Sequence, residues 1–211
     1  MTVGAAEAGI VGALDLLCER LVLAEADLNA LDRAIGDGDH GGNMARAARS
    51  LQAMRGELDG LPAGEVLRRI GKAIVMSAGG ASGPLYGTLL LEMGKSLPAE
   101  PTPSDWAAAF MAGVAGAGRR GRSAEGEKTM LDVLAPAARA LEARSADDGA
   151  GAIRAMRDAA RAGFDAQRPL RATKGRAAYV GERSIGQDDP GAASSLLAIV
   201  ALAEAYLENC E

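Results

Sequence analysis

The sequence predicts an all-α protein of eight helices. Apolar residues recur every three or four positions from end to end, the mark of amphipathic helices. No segment shows a convincing two-residue alternation, and stretches such as Ala177–Val180 are too short and too Gly-flanked for strands. Ala and Leu abound while aromatics are 3%, so small residues must let the helices pack closely.

The first stripe is Ile10, Leu14, Leu17, Leu21, Ala24, Leu28 and Leu31, one continuous helix. Met44, Ala47, Leu51 and Met54 mark the second, and Val66, Ile70, Ile74 and Ser77 the third. Leu85, Leu89, Met93 and Leu97 mark the fourth. Trp106, Phe110, Val114 and Ala117 mark the fifth, entered through Pro103-Ser104, a start signal. Met130, Leu134, Ala138 and Leu141 give the sixth, and Ile153, Met156, Ala160 and Phe164 the seventh. Ala193, Leu197, Val200, Ala203 and Leu207 give the last. No internal repeat or low-complexity tract interrupts them.

A chain of 211 residues suffices for one substantial core, read as a single domain over 1–211. Hydrophobic residues at 48% and charged residues at 24% are the balance of a folded protein. The net charge of −5 argues against nucleic acid or an anionic membrane as partner. Met1-Thr2-Val3-Gly4 lacks the positive start of a signal peptide, and no apolar run approaches the ~18 residues of a membrane span. Cys18 and Cys210 lie far apart and flank no motif, so no disulfide framework is indicated. The expected compartment is the cytoplasm.

The joints carry the chemistry. Four are Gly-rich or charged: residues 35–43, 78–84, 118–129 and 168–191. In Ala34-Ile35-Gly36-Asp37-Gly38-Asp39-His40-Gly41-Gly42-Asn43-Met44, two carboxylates stand between glycines, followed by the only histidine of the chain. Asp32 lies five residues before Asp37. Mg²⁺ takes oxygen ligands of this kind, one or two carboxylates plus substrate phosphates. In an uninterrupted helix at ~100° per residue, Asp37 would point away from Asp32 and Asp39. The cluster therefore reads as a helix end followed by a metal-binding loop, against the plainer reading of a polar turn. Gly36-x-Gly38-x-x-Gly41 fits a dinucleotide fingerprint, but the preceding segment is helical and two intervening residues are Asp, so that reading is rejected. For His40, a phosphate or ribose contact is preferred over metal ligation, since Mg²⁺ prefers oxygen.

Ser77-Ala78-Gly79-Gly80-Ala81-Ser82-Gly83-Pro84 lets backbone approach a ligand and presents amides at a helix start, where anions bind; a Gly-rich turn is the alternative. Gly121-Arg122-Ser123-Ala124-Glu125-Gly126-Glu127-Lys128-Thr129 resembles a P-loop but has Glu127 inserted and no preceding strand. Lys128 and Thr129 are read instead as part of a helix start, with Asp132 one turn in. The stretch 168–191, more than 20 residues with no helical pattern, is longer than an ordinary connection and concentrates Arg168, Arg171, Lys174, Arg176 and Arg183 in an acidic protein, which points to function. It ends in Asp188-Asp189-Pro190-Gly191, with Asp189 as N-cap and Pro190 as first helical residue. Three carboxylates, Gly-rich joints and one basic loop together suit a Mg²⁺-nucleotide and phosphoryl transfer.

These blocks resemble the nucleotide-binding L subunits of bacterial dihydroxyacetone kinases. The resemblance rests on Leu31-Asp32-Arg33-Ala34-Ile35-Gly36-Asp37-Gly38-Asp39-His40-Gly41, on Gly79-Gly80-Ala81-Ser82-Gly83-Pro84-Leu85-Tyr86-Gly87-Thr88, and on Lys128-Thr129-Met130. It continues through Lys174-Gly175-Arg176-Ala177, Gly181-Glu182-Arg183-Ser184-Ile185-Gly186 and Asp189-Pro190-Gly191. It implies an eight-helix antiparallel barrel with the nucleotide in loops at one rim, and two Mg²⁺ held by Asp32, Asp37 and Asp39. It implies nucleotide contacts from His40, Gly41, Gly42, Asn43, Ala81, Ser82, Gly121, Met130, Arg176, Asp189, Pro190 and Gly191.

It further implies ADP or ATP as cofactor, a keto-sugar held covalently on a separate K subunit, and, in the phosphotransferase-coupled type, a phosphohistidine carrier (the M subunit) that recharges bound ADP. His40 with Asn43-Met44 looks more like that type. Glu127 stands where the resemblance implies Asp. No general base is evident on this chain, which assigns that role to the partner. Two other classes are set beside this one: a nucleotide-sensing module that binds a regulator without turnover, and a stand-alone phosphohydrolase. The donor, the sugar and the oligomeric state stay open at this level.

Overall fold

Short connections between long amphipathic helices force each helix to turn back against its predecessor, and here the last returns to the first. The computed structural model describes residues 3–146 and 148–210, with side chains described from Val11 onward. Met1, Thr2 and the side chain of Ile10 lie outside that range. The described residues form nine α-helices and no strand: α1 (Val3–Leu23), α2 (Glu25–Ile35), α3 (His40–Ala53), α4 (Ala63–Ser77), α5 (Ser82–Ser96), α6 (Pro103–Gly121), α7 (Leu131–Ala143), α8 (Gly149–Gln167) and α9 (Pro190–Glu208). Single 3₁₀ stretches occupy Arg55–Glu57 and Arg176–Ser184.

Eight of the helices close a ring. Each of α3 to α9 packs on its neighbours in chain order, and α1 seals the gap between α3 and α9. The remaining helix, α2, lies against α3 and α9. The predicted stripes supply the core: Leu14, Leu21, Leu28, Leu51, Val66, Ile70, Ile74, Leu89, Phe110, Leu134, Met156 and Ala203 are all buried. Each of these side chains larger than Ala contributes about 1.5–3 kcal/mol relative to exposure.

Glycine lets two of these helices touch backbone to backbone. A side chain at Gly64 would meet the Gly94 carbonyl at 2.8 Å, and one at Gly71 would meet the Gly87 carbonyl at 3.0 Å. Pairing early α4 with late α5, and late α4 with early α5, makes them antiparallel. A second close approach uses proline. Pro136 inside α7 has no N–H for the Asp132 carbonyl, and Gly163 of α8 packs directly over both.

Three expectations need correction. The single helix through Ile10–Leu31 is two, α1 and α2, broken at Ala24. Neither Gly nor Pro marks that joint, and the apolar stripe runs straight through it, so periodicity alone could not show the break. The stretch 168–191 is not wholly without helix, since Arg176–Ser184 forms 3₁₀ turns kinked at Gly181, whose φ is +60°. An apolar run long enough for a span does exist: Pro190–Glu208 qualifies by length and composition. That helix packs against α1, α7 and α8, with Ser194, Ser195, Ile199, Ala201 and Ala203 buried.

In an up-and-down ring, alternate connections fall at one end. Residues 36–39, 78–81, 122–130 and 168–189 are such alternates, and cross-contacts join them into one rim. Ser82 reaches His40, the Thr173 N–H donates to the Glu127 carbonyl, and Arg176 reaches Asp37.

Candidate functional site

The carboxylate trio forms because α2 stops one residue short of turning Asp37 away. Gly36 caps the helix in extended backbone, its N–H still bonded to the Asp32 carbonyl at 2.5 Å. A Cβ there would overlap the Asp32 carboxylate, so only glycine fits. Gly38 then turns the chain at φ +80°. Buried Asp32 accepts the N–H groups of Asp39 at 2.8 Å and His40 at 3.1 Å, which ties the end of α2 to the start of α3. Asp39 is aimed in turn by the Asn43 amide, which donates to its Oδ1 at 2.8 Å and is itself held by Arg46 at 3.0 Å.

One oxygen from each of Asp32, Asp37 and Asp39 lies within 4.8 Å of the others. The ligands of a single octahedral Mg²⁺ stand at most about 4.2 Å apart, from its ~2.1 Å bond length. The upper bound on the spacing of the trio is thus close to that of ligands on one such ion. All-oxygen donors, with two of the three carboxylates exposed to a rim, fit a hard divalent cation.

Packing brings a cation to the same place. Ile35, Ala172, Ala177 and Val180 form a small apolar cluster that seats the 168–189 connection on the end of α2. That seating places Arg176 Nη2 3.0 Å from Asp37 Oδ2. The connection is well tied elsewhere: Ser184 Oγ accepts the Ala172 N–H and donates to the Gly181 carbonyl, and the Gly186 N–H donates to the Arg168 carbonyl.

His40, the first residue of α3, is buried with both ring nitrogens near hydroxyls. Nε2 is 2.8 Å from Ser194 Oγ, and Nδ1 is 3.3 Å from Ser82 Oγ. Burial pushes its pKa below the usual imidazole value, against the opposing charges of Asp32 and Asp39. Gly41 lies so close to α2 that a Cβ would strike the Glu25 carbonyl, and the Gly42 N–H donates to Asn29 Oδ1 at 3.1 Å. Gly79 abuts Asn43, which brings the loop before Ala81 and Ser82 onto the first turn of α3.

Across the rim, Asp189 caps α9 by accepting the Ala192 N–H at 2.7 Å, with Pro190 as first residue, as the sequence indicates. Burial pushes the Asp189 carboxyl up to about 7, with Asp132 adding and the Ala192 N–H and Lys128 opposing. Gly191 lies against Met130. Gly121, at the end of α6, sits beside Leu85 and Ser123, with no carboxylate of the trio next to it.

Lys128 departs from its reading as a member of a helix start. Its backbone is left-handed at φ +60°, α7 begins only at Leu131, and its side chain is fully buried. Nζ donates to the carbonyls of Gln167 at 3.0 Å and Arg168 at 2.8 Å, which anchors the 168–189 connection. Asp132 is the second residue of α7, in its first turn, and accepts the N–H groups of Gly126 and Thr129. Sequence reasoning missed Asn29, Arg46, Tyr86, Ser194 and Ser195. All lie on helices, where the apolar period dominates the pattern.

A groove of about 680 Å³ runs along α6 and α7, lined by Val114, Gly118, Leu131 and Ala135 with Arg119 and Arg122 at its edge. Its lining includes sequence neighbours of Gly121 and Met130, though neither residue itself.

A closed ring of helices with three carboxylates converging at one rim defines the class: an all-α protein with a candidate cation site at one end of its helices. A model of the DAK2 domain matches residues 34–204, and the chain belongs to that family. It is 43% identical over 171 residues to the "PEP-dependent dihydroxyacetone kinase 1, ADP-binding subunit DhaL" of Listeria innocua, covering 81% of this chain and 82% of that one. It is 36% identical over 185 residues to the corresponding ADP-binding subunit of Escherichia coli K12, covering 86% and 88%. The C. freundii dihydroxyacetone kinase solved with AMP-PNP and Mg²⁺ superposes with a TM-score of 0.73 at 29% identity. This match covers 92% of the present chain and 33% of that one, so the chain spans about a third of the longer relative.

Proposed function

We propose that this chain is the phosphoryl-donor subunit of a dihydroxyacetone kinase, one nucleotide-binding unit over residues 1–211 that works in the cytoplasm beside a separate sugar-binding K subunit. The observation that carries the reading is the convergence of Asp32, Asp37 and Asp39 at the rim. Similarity to ADP-binding subunits over most of both chains supports it.

On this reading Asp32, Asp37 and Asp39 would hold two Mg²⁺, which would neutralise the charge of the phosphates. The first turn of α3, His40, Gly41, Gly42 and Asn43, then lies against the phosphates, where a helix start favours anions, while the His40 and Gly42 N–H groups stay with Asp32 and Asn29. Ala81 and Ser82 close the side above His40. Arg176 exchanges Asp37 for phosphate oxygen, as its partly exposed side chain permits. Gly121, Met130 and the α9 start at Asp189, Pro190 and Gly191 receive the nucleoside end.

In the transfer, a bond forms between the γ-phosphorus and a hydroxyl oxygen of the keto-sugar, and the bond from that phosphorus to the β–γ bridging oxygen breaks. The sugar's hydroxyl proton passes to a base on the K subunit. ADP remains in place for recharging by a phosphohistidine carrier, in line with the relatives described as PEP-dependent.

The test reconstitutes the chain with a K subunit and dihydroxyacetone. Phosphorylated sugar should appear with ATP, or with phosphohistidine carrier and catalytic ADP, and should disappear in Asp37→Ala. Nucleotide binding without sugar phosphorylation under either donor would overturn the transferase reading.

A further inference from the structure

We propose that Tyr86 and Ser194 are positioning residues that fix the ring orientation and tautomer of His40, through a buried hydrogen-bond chain from the Gly191 carbonyl to Ser82. Tyr86 stands on α5 with its hydroxyl 3.0 Å from the Gly191 carbonyl, 2.8 Å from Ser194 Oγ and 2.7 Å from Ser195 Oγ. Ser194 Oγ lies 2.8 Å from His40 Nε2 and 3.2 Å from the same Gly191 carbonyl, and His40 Nδ1 lies 3.3 Å from Ser82 Oγ. Tyr86, Ser194, Ser195 and His40 are all buried.

Each hydroxyl has one proton to give, and the Gly191 carbonyl has none. That end can only accept, which gives the chain a direction. If Tyr86 donates to Gly191, its contact with Ser194 requires the Ser194 proton, and the Ser194 contact with His40 then requires a proton on Nε2. If Tyr86 donates to Ser194 instead, Ser194 must serve Gly191, and His40 must again supply the proton. Either assignment leaves one of the two contacts to the Gly191 carbonyl unmade, whereas a Ser194 that donates to the ring leaves two contacts unmade. The arrangement that makes the most contacts therefore protonates His40 at Nε2 and leaves Nδ1 accepting from the Ser82 hydroxyl.

Ser82 then meets a ligand only as an acceptor, from a ribose hydroxyl or a cation-bound water. Phosphate oxygens are left to Arg176 and to backbone N–H groups. The chain also ties three helix starts together, those of α3, α5 and α9, across a span of sequence no local motif could bridge.

The test uses the full chain labelled with ¹⁵N-histidine; His40 is its only histidine, so the ring signals assign themselves. A long-range ¹H–¹⁵N spectrum of the wild type is expected to show one form protonated at Nε2. Ser194→Ala and Tyr86→Phe should each give a mixture of tautomers, while Ser195→Ala, which leaves Tyr86 its bonds to Gly191 and Ser194, should keep the wild-type ring. Should Tyr86→Phe fail to fold, the two serine variants on the same helix decide the matter between them. A wild-type ring protonated at Nδ1 or at both nitrogens, or identical rings in all variants, overturns the proposal.

The effect on ligand rests on the function proposed above: Mg-ADP should bind Ser194→Ala roughly three- to tenfold more weakly, the net worth of about one hydrogen bond. Unchanged Mg-ADP affinity in a variant whose ring has shifted overturns the positioning role. A wild-type chain that binds no Mg-ADP strikes the proposed function instead, and the ring spectrum still decides this inference.

Discussion

Arg176 and Asp37 meet across the rim, Nη2 to Oδ2 at 3.0 Å, although 139 residues separate them in the chain. The guanidinium occupies the carboxylate that a cation would need, so it competes with bare Mg²⁺ yet would assist a Mg²⁺-nucleotide. Arg176→Ala is therefore expected to bind Mg²⁺ alone more tightly and Mg-ADP more weakly, a divergence that calorimetry reads directly. Being partly exposed, the pair should alter stability by less than about 1 kcal/mol. Parallel losses of both affinities would contradict the pairing.

Gly36→Ala tests the local geometry of the trio. The new Cβ would overlap the Asp32 carboxylate, which the N–H groups of Asp39 and His40 hold in place. Mg²⁺-dependent nucleotide binding is expected to fall at least tenfold, the effect of about 1.4 kcal/mol, within the 1–3 kcal/mol range of overpacking. Unaltered binding in a folded variant would show that the carboxylate can move freely.

Asp189 gives a pH dependence with a definite sign. Its folded carboxyl titrates near 7 against an ordinary 3.8, so between those values the folded state holds the extra proton. Stability from this group is present below about 3.8 and is lost as pH rises through about 7. Asp189→Asn keeps a side chain able to cap α9 and removes the titration. Urea melts should show the variant gaining on the wild type between pH 4 and pH 7. A constant difference across that window would contradict the assignment.

The two thiols should differ sharply. Cys18 is fully buried, and burial together with Asp15 pushes its pKa to about 12, while Cys210 is exposed. Since the thiolate is the nucleophile, a chromogenic disulfide should titrate one thiol quickly in the native protein and two after denaturation. Two fast native thiols would mean that α1 opens readily.

Much of this architecture was legible because helix burial has a period. Each stripe from Met44 to Leu207 lies along an observed helix, with Met54, Leu97 and Met130 just beyond the ends, and residues such as Pro103 and Asp189 stand where those helices begin. The break at Ala24 was not legible, because burial continues across it. Within the site, Asp37 and Asp39 announced themselves by standing between glycines, and Arg176 by its place in a basic stretch. Lys128 reads as part of a helix start, whereas it precedes α7 in left-handed backbone and its ammonium is spent on the carbonyls of Gln167 and Arg168. Tyr86, Ser194 and Ser195 gave no local signal. Their partnership crosses more than 100 residues and exists only once the ring closes.

The central claim is that Asp32, Asp37 and Asp39 hold Mg²⁺ beneath a nucleotide. The most direct test is the nucleotide content of the purified chain with and without EDTA, read by denaturation and ion-exchange chromatography. The account expects bound ADP that is released when Mg²⁺ is stripped, or, in an empty preparation, Mg-ATP binding that EDTA abolishes. A chain that carries no nucleotide and binds none in a Mg²⁺-dependent manner would contradict it.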